Sequence, residues 1–257
     1  MTYIFDGSYQ GLLTAVFTAF ERKEFNVNIS CESTFQNGLF ETTHSIYSDV
    51  EKYQRVQKGL SKYLSVDEVL DFWRAYLAED PEINSIIFTL IIEVFKGNAA
   101  FLQNYGDDRV LKFKQTLKKI NRERHRMKAF VRFQKSADGM YLAVVNPDFN
   151  VLPLIIPFFR NRYADQPWLI YDDIRKYGIY YDLKTVTEVK LTLPQVGMLQ
   201  TTSAVTDLDA KEKKYENLWQ SYFQSTNIEA RKNLKLHIQH VPKRYWKYLP
   251  EKQYAIK

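Results

Sequence analysis

The dominant hydrophobic period of this chain changes after the helix that ends near Arg122, and that change points to the class of fold. From Asp49 to Ile120 the apolar residues recur mainly at helical spacing; from Met127 onward short extended runs broken by turn residues predominate. Helices gathered in one stretch and strands in another give an α+β fold, since an alternating α/β protein would interleave them.

Tyr3–Phe5 reads as a short strand, and Leu12, Leu13, Val16, Phe17 and Phe20 mark an amphipathic helix over about residues 9–22. Asn26–Ser30 and Leu39–Tyr47 read as further strands, and Asp49–Leu64 as a helix. Ser65 with Glu68 three residues on forms a capping box for the next helix. Asp80-Pro81 opens another, with Asp80 as N-cap and Pro81 in the first turn. That helix runs to Phe95, is apolar on most sides and is therefore expected at the centre of a core. Val110, Phe113, Leu117 and Ile120 then form the floor of a helix whose other faces carry lysine and arginine.

Met127–Gln134 and Met140–Val145 are extended runs around Asp138-Gly139, a hairpin signal. Phe149–Tyr163 reads as a helix interrupted by Pro153 and Pro157, followed by strands at Trp168–Tyr171, Gly178–Tyr181 and Glu188–Leu193. The expected order is β-β-α-β-β-β, a central antiparallel sheet with a helix on one face. Gln200–Asp209 resembles a linker, and helices near Ala210–Gln224 and Ile228–Leu234 are expected to pack back on the body. The expectation is one integrated domain over residues 1–257, with sub-units at 1–122 (mainly helical), 123–199 (sheet) and 208–257 (helix and basic aromatic tail).

Charge is unevenly spread. Arg109–Lys135 holds eleven Lys/Arg against one acid, Glu123, and Arg231–Lys257 holds eight against Glu251. With a net charge of +6 overall, the rest of the chain is acidic. A basic patch is the electrostatic footprint of a polyanion, because each cation that neutralises a phosphate releases counterions. Solvated helix faces give the same pattern. The residues expected to contact nucleic acid are Lys114, Lys118, Lys119, Arg122, Arg124, Arg126 and Arg132 in the first segment, with Lys243, Arg244, Tyr245 and Trp246 in the second. In the tail, cations alternate with rings, as suits phosphates and stacked bases. The same pattern fits Tyr245, Trp246, Tyr248 and Leu249 anchoring the chain on the core with only lysines outside.

Several chemistries lack sequence support. No G-x-x-x-x-G-K-[ST] or G-x-G-x-x-G motif is present, nor H-E-x-x-H. The single cysteine, Cys31, excludes a disulfide framework within the chain, a Cys-x-x-Cys zinc site and an all-cysteine iron–sulfur cluster, and fits a reducing, cytoplasmic home. Neither Ile86–Ile92 nor Val151–Phe159 approaches the roughly 20 apolar residues of a membrane span, and Met1–Gly7 has no basic and apolar signal-peptide pattern. No cofactor and no metal are expected; His237 and His240 lack carboxylates at ligand spacing. The candidates for catalysis are Glu123, His125 and Asp172. Glu123 and His125 are two apart, so on a helix they point away from each other. Asp172-Asp173 can hold a metal at a strand end, or form a turn paired with Arg175.

Four segments together resemble a known family: Tyr3-Ile4-Phe5-Asp6-Gly7-Ser8 with Gly11-Leu12-Leu13, Glu123-x-His125-Arg126-Met127-Lys128-x-Phe130-Val131-Arg132-Phe133, Trp168-x-Ile170-x-Asp172-x-x-Arg175, and Pro242-x-Arg244-Tyr245-Trp246 with Leu249-Pro250-Glu251. In order and spacing they are similar to a bacterial family, a domain of unknown function, described as DNA metabolism or DNA repair proteins. The resemblance implies a DNA repair setting, a partner that is a radical-SAM DNA modification or repair protein, and kinship with domains found fused to uracil-DNA-glycosylase-like domains. A fused domain of that kind is not expected here, and any radical-SAM chemistry would belong to the partner. The leading expectation is a DNA-binding accessory protein. The alternatives are an enzyme acting on DNA, glycosylase-like or nuclease-like, built from Asp6, Glu123, His125 or Asp172, and an adaptor whose basic face meets an acidic protein.

Overall fold

The computed structural model describes residues 1–36, 42–135, 139–190, 238, 241–250 and 252. The fold is α+β, and the chain divides into two compact units, Met1–Arg122 and Glu123–Lys257.

The first unit opens with β1 (Thr2–Phe5), α1 (Tyr9–Arg22), β2 (Asn28–Cys31) and β3 (Thr43–Ile46). The strand order is β2-β1-β3, and both pairings are parallel. A parallel neighbour needs a crossover connection, and α1 supplies it between β1 and β2. Ser8 caps α1 through the Gly11 N–H, and Lys23 ends it in the left-handed conformation. Then come α2 (Val50–Leu60), α3 (Val66–Tyr76) and α4 (Pro81–Phe95). Asp49 caps α2, Ser65 and Glu68 form the expected reciprocal box on α3, and Asp80 caps α4 with Pro81 in its first turn. The apolar helix does lie in the core: Ile87, Leu90 and Ile91 are fully buried, each contributing about 1.5–3 kcal/mol of burial free energy. The core of this unit also takes in Tyr3, Phe5 and Leu12 from the first strand and helix, with Val110, Phe113 and Leu117 from α5 (Asp108–Phe130).

The second unit takes up the last turns of α5, then β4 (Gln134–Lys135), β5 (Tyr141–Val145), α6 (Leu152–Arg162), β6 (Trp168–Asp172), β7 (Tyr177–Tyr181) and β8 (Val186–Val189). A 3-10 segment, Lys243–Tyr248, follows in the tail. The element order β-β-α-β-β-β is as expected, and the sheet order is β4-β5-β6-β7-β8. Its central strand, β6, is buried at all five positions.

Two expectations need correction. The sheet is mixed, because β5 and β6 pair in parallel while the other pairs are antiparallel. The cause is α6: a helix between two neighbouring strands carries the chain back to its starting edge, so the second strand enters in the same direction. The extended run expected at Met127–Gln134 is helical as far as Phe130, and only Gln134–Lys135 pair as strand. The helix persists because Met127 continues the buried stripe of α5. The expected linker at 200–209, the helices near 210–224 and 228–234, and His237 and His240 lie outside the described residues.

Candidate nucleic-acid interface

The candidate interface centres on α5. The Asp107 carboxylate accepts the Arg109 N–H at 2.9 Å and binds the Arg109 guanidinium at 2.8 Å, which holds the start of the helix. Those contacts, the guanidinium hydrogen bond first, lower the Asp107 carboxyl to about 2. Val110, Phe113, Thr116, Leu117, Ile120, Glu123 and Met127 form the buried stripe. With that stripe facing inward, Gln115, Lys118, Lys119, Arg122, His125 and Ala129 are exposed.

The cations of this helix have different fates. Lys112 pairs with Glu82, and Lys114 lies within electrostatic reach of Glu68. Arg126 faces Glu123 at 3.5 Å, Lys128 stands 5.3 Å over the Phe158 ring, and Arg132 donates to the carbonyls of Ala129 and Val131. Lys118, Lys119 and Arg122 are exposed and have no acidic partner among the described residues. Three unpaired cations within one turn are what a polyanion contact requires. Arg124, half-buried, and His125, exposed, follow on the next turn.

The other expected residues gather in the second unit around Glu123, which is 2% exposed. Its carboxylate accepts the Tyr245 hydroxyl, the Asp148 backbone N–H at 3.0 Å and the Arg244 guanidinium at 3.1 Å. Arg244 also pairs with Asp148 at 2.6 Å. Burial first, and then the hydrogen bond to Glu123, push the Tyr245 phenol above its ordinary range. Burial lowers the Arg244 guanidinium, but the Tyr245 hydroxyl and the Glu123 and Asp148 charges more than offset it, so the net shift is upward. The Tyr245 ring rests 5.3 Å from Phe130. Burial also raises the Asp148 carboxyl, against the pull of Arg244.

Asp172, at the end of β6, is fully buried. It accepts the N–H groups of Ile174 and Arg175 and binds the Arg175 guanidinium at 2.9 Å. Arg175 donates onward to the Pro147 and Asp148 carbonyls at 3.1 and 3.2 Å. The turn after β5 is thus clamped by α5, by the β6–β7 turn and by the tail.

Within the second unit the candidates for catalysis, Glu123, His125 and Asp172, are held apart from one another. Glu123 is buried and its donors are supplied by the protein, whereas His125 faces outward from the same helix. Asp172 is held by its own turn and by Arg175. Asp6 belongs to the other unit, where Ser8 and Ser48 donate to both of its oxygens at 2.7 and 2.6 Å. Burial raises the Asp6 carboxyl, the serine hydrogen bonds lower it, and the net shift is downward. Among the described residues no group of three or more His, Cys, Asp or Glu is placed to hold a metal, and no helix is long and apolar enough to cross a membrane.

In the tail, Tyr245 and Trp246 are 1% and 8% exposed, so their rings are not offered to bases. Trp246 donates its indole N–H to the Val241 carbonyl at 3.0 Å. Lys243 and Lys247 remain exposed. The turn that pairs Asp172 with Arg175 is one of the two arrangements read from the sequence, whereas Asp148 and the onward contacts of Arg175 to the Pro147 and Asp148 carbonyls were missed. One signal for the network was readable: Glu123 is the single acid of a basic segment and falls on the apolar stripe, three residues after Ile120 and four before Met127.

The family described as a domain of unknown function, DUF4130, matches residues 81–251, well over half of the chain. The chain belongs to this family. Its matched region begins with α4 and takes in α5, the five-stranded sheet and the 3-10 segment of the tail, hence every residue of the Glu123 network. The Tyr3–Leu13 segment precedes it. No curated protein and no solved structure matches the chain.

Proposed function

We propose that this DUF4130 protein is a DNA-binding accessory protein of DNA repair or DNA metabolism, cytoplasmic, and working with a radical-SAM partner. The observation that carries the reading is the cluster Lys118, Lys119 and Arg122, exposed on α5 with no acidic partner among the described residues. Lys112, Arg109 and Arg126 beside it are already paired inside the protein, so this cluster is the part of the basic segment left for another molecule. The repair setting and the radical-SAM partner rest on the sequence resemblance. In that arrangement this chain holds DNA and the partner does the chemistry. A lone free thiol at Cys31 suits a reducing compartment.

The test is fluorescence anisotropy of labelled DNA titrated with the full chain at about 50 mM salt, repeated in the presence of an acidic protein. Binding that weakens with salt and survives equimolar acidic competitor is the expected result. Absence of binding would overturn the reading and leave the basic face to a protein partner.

A further inference from the structure

We infer that the polyanion recognised by α5 is duplex DNA, held by its phosphates without base readout. The inference rests on the DNA-binding reading above and names the form of DNA that fits it.

Proteins that grip single strands combine a cationic track with exposed aromatic rings, because unpaired bases stack on those rings. The sequence offers such rings in the basic tail, but among the described residues the fold leaves none of them exposed. Tyr245 and Trp246 are buried, and Tyr245 is committed to Glu123. The exposed face of α5 from Gln115 to Ala129 carries no Phe, Tyr or Trp; its one ring is the small imidazole of His125, three residues beyond Arg122. Tyr105 is exposed but precedes the helix, and Lys118 stands about 15 Å further along the axis from the helix start at 1.5 Å per residue. Among the described residues, the face that Lys118, Lys119 and Arg122 present is therefore dominated by charge.

The density of that charge fits a duplex. From Lys118 to Arg122 the helix rises about 6 Å and shows three cations. Double-stranded DNA carries one phosphate per about 1.7 Å of axis, so three to four phosphates span the same length. A helix is rigid over that distance, and so is a duplex. A flexible single strand would have to be ordered against the face with little stacking to offset the cost. Backbone contacts position a protein without reading sequence, so AT-rich and GC-rich duplexes should bind alike.

The experiment compares AT-rich duplex, GC-rich duplex, and single-stranded dT and dA oligonucleotides of equal length on the full chain across about 50–200 mM salt. Three phosphate contacts give a log–log slope near −2.7 on duplex, a loss of about 40-fold over that range. The expected result is equal affinity for the two duplexes, both tighter than either single strand. The Lys118→Gln/Lys119→Gln/Arg122→Gln variant should lose that slope, and the Lys118→Arg/Lys119→Arg/Arg122→Lys variant should keep it, which separates lost charge from lost folding. Tighter binding of single strands, or a preference between dT and dA, would overturn the inference while leaving DNA binding in place. Binding to neither form would overturn the DNA reading itself.

Discussion

Replacing Glu123 by alanine tests whether this carboxylate holds the tail onto the second unit. The side chain is 2% exposed, and four donors converge on it: the Tyr245 hydroxyl, the Asp148 N–H, Arg244 and Arg126. Removing one partner of a buried ion pair costs about 3–5 kcal/mol. Here the low end applies. Arg244 is 39% exposed and retains Asp148 at 2.6 Å, so solvent and the second carboxylate screen its loss. Arg126 faces Glu123 at 3.5 Å and contributes less. The largest share comes from the buried Tyr245 hydroxyl, since a hydrogen bond to a charged group contributes about 1.5–3 kcal/mol. A total near 3 kcal/mol lowers Tm by roughly 6–12 °C in a chain of this size. Thermal denaturation measures the loss, and limited trypsin digestion locates it. Lys243 and Lys247 are exposed on the segment that Tyr245 pins, so cleavage there should accelerate in Glu123→Ala. Glu123→Gln keeps an acceptor oxygen and should fall between the two proteins. A Tm within about 2 °C of wild type, a difference of at most ~1 kcal/mol, with unchanged cleavage would refute the argument.

Other outcomes follow from the same geometry. Tyr245→Phe should destabilise by about 1.5–3 kcal/mol. Combined with Glu123→Ala it should add little, and full additivity in a double-mutant cycle would show that the two groups do not act together. Asp172→Asn breaks a pair that is 0% exposed on the carboxylate side and 11% on the arginine side, so a loss of about 3–5 kcal/mol is expected in chemical denaturation. Asp107 has its carboxyl lowered from 3.8 to about 2 by Arg109, so its stabilisation is present above pH 3.8 and lost as pH falls through about 2. The gap between wild type and Asp107→Asn should stay flat at higher pH and close over that window; a gap that persists at pH 2 would contradict the assignment.

Most of the helical half was readable because capping chemistry is local. Ser65 with Glu68, and Asp80-Pro81, each signal a helix start within four residues, and those starts are where the structure has them. Strand direction was harder. Side-chain alternation shows that a strand exists and which face is buried, but not whether its neighbour runs with it or against it. The parallel pairing of β5 and β6 was implied by the intervening helix α6, and the parallel set β2-β1-β3 by α1. The end of α5 was misread because Phe130, Val131 and Phe133 suit a strand, while the tertiary burial of Met127 keeps the preceding turn helical.

At the site, helical spacing was enough to put Lys118, Lys119 and Arg122 off the apolar stripe, but Glu123 stood among the catalytic candidates rather than within the core. Spacing could not show that Arg244 and Tyr245 return across more than a hundred residues to meet Glu123, because no local pattern encodes a long-range ion pair. Asp148 was invisible for the same reason: it acts through its backbone N–H and carbonyl as much as through its carboxylate. The aromatic and basic tail fitted two readings from sequence, and burial of Tyr245 and Trp246 favours the anchor.

The most direct test of the account is the salt dependence of duplex binding by wild type against Lys118→Gln/Lys119→Gln/Arg122→Gln, with the charge-conserving Lys118→Arg/Lys119→Arg/Arg122→Lys as the control. Charge neutralisation should weaken binding to every sequence and flatten the log–log slope by close to three phosphate contacts, about 2.7, while the charge-conserving variant leaves the slope unchanged. An unaltered slope in the charge-neutralised variant would contradict the central claim that this face of α5 holds DNA.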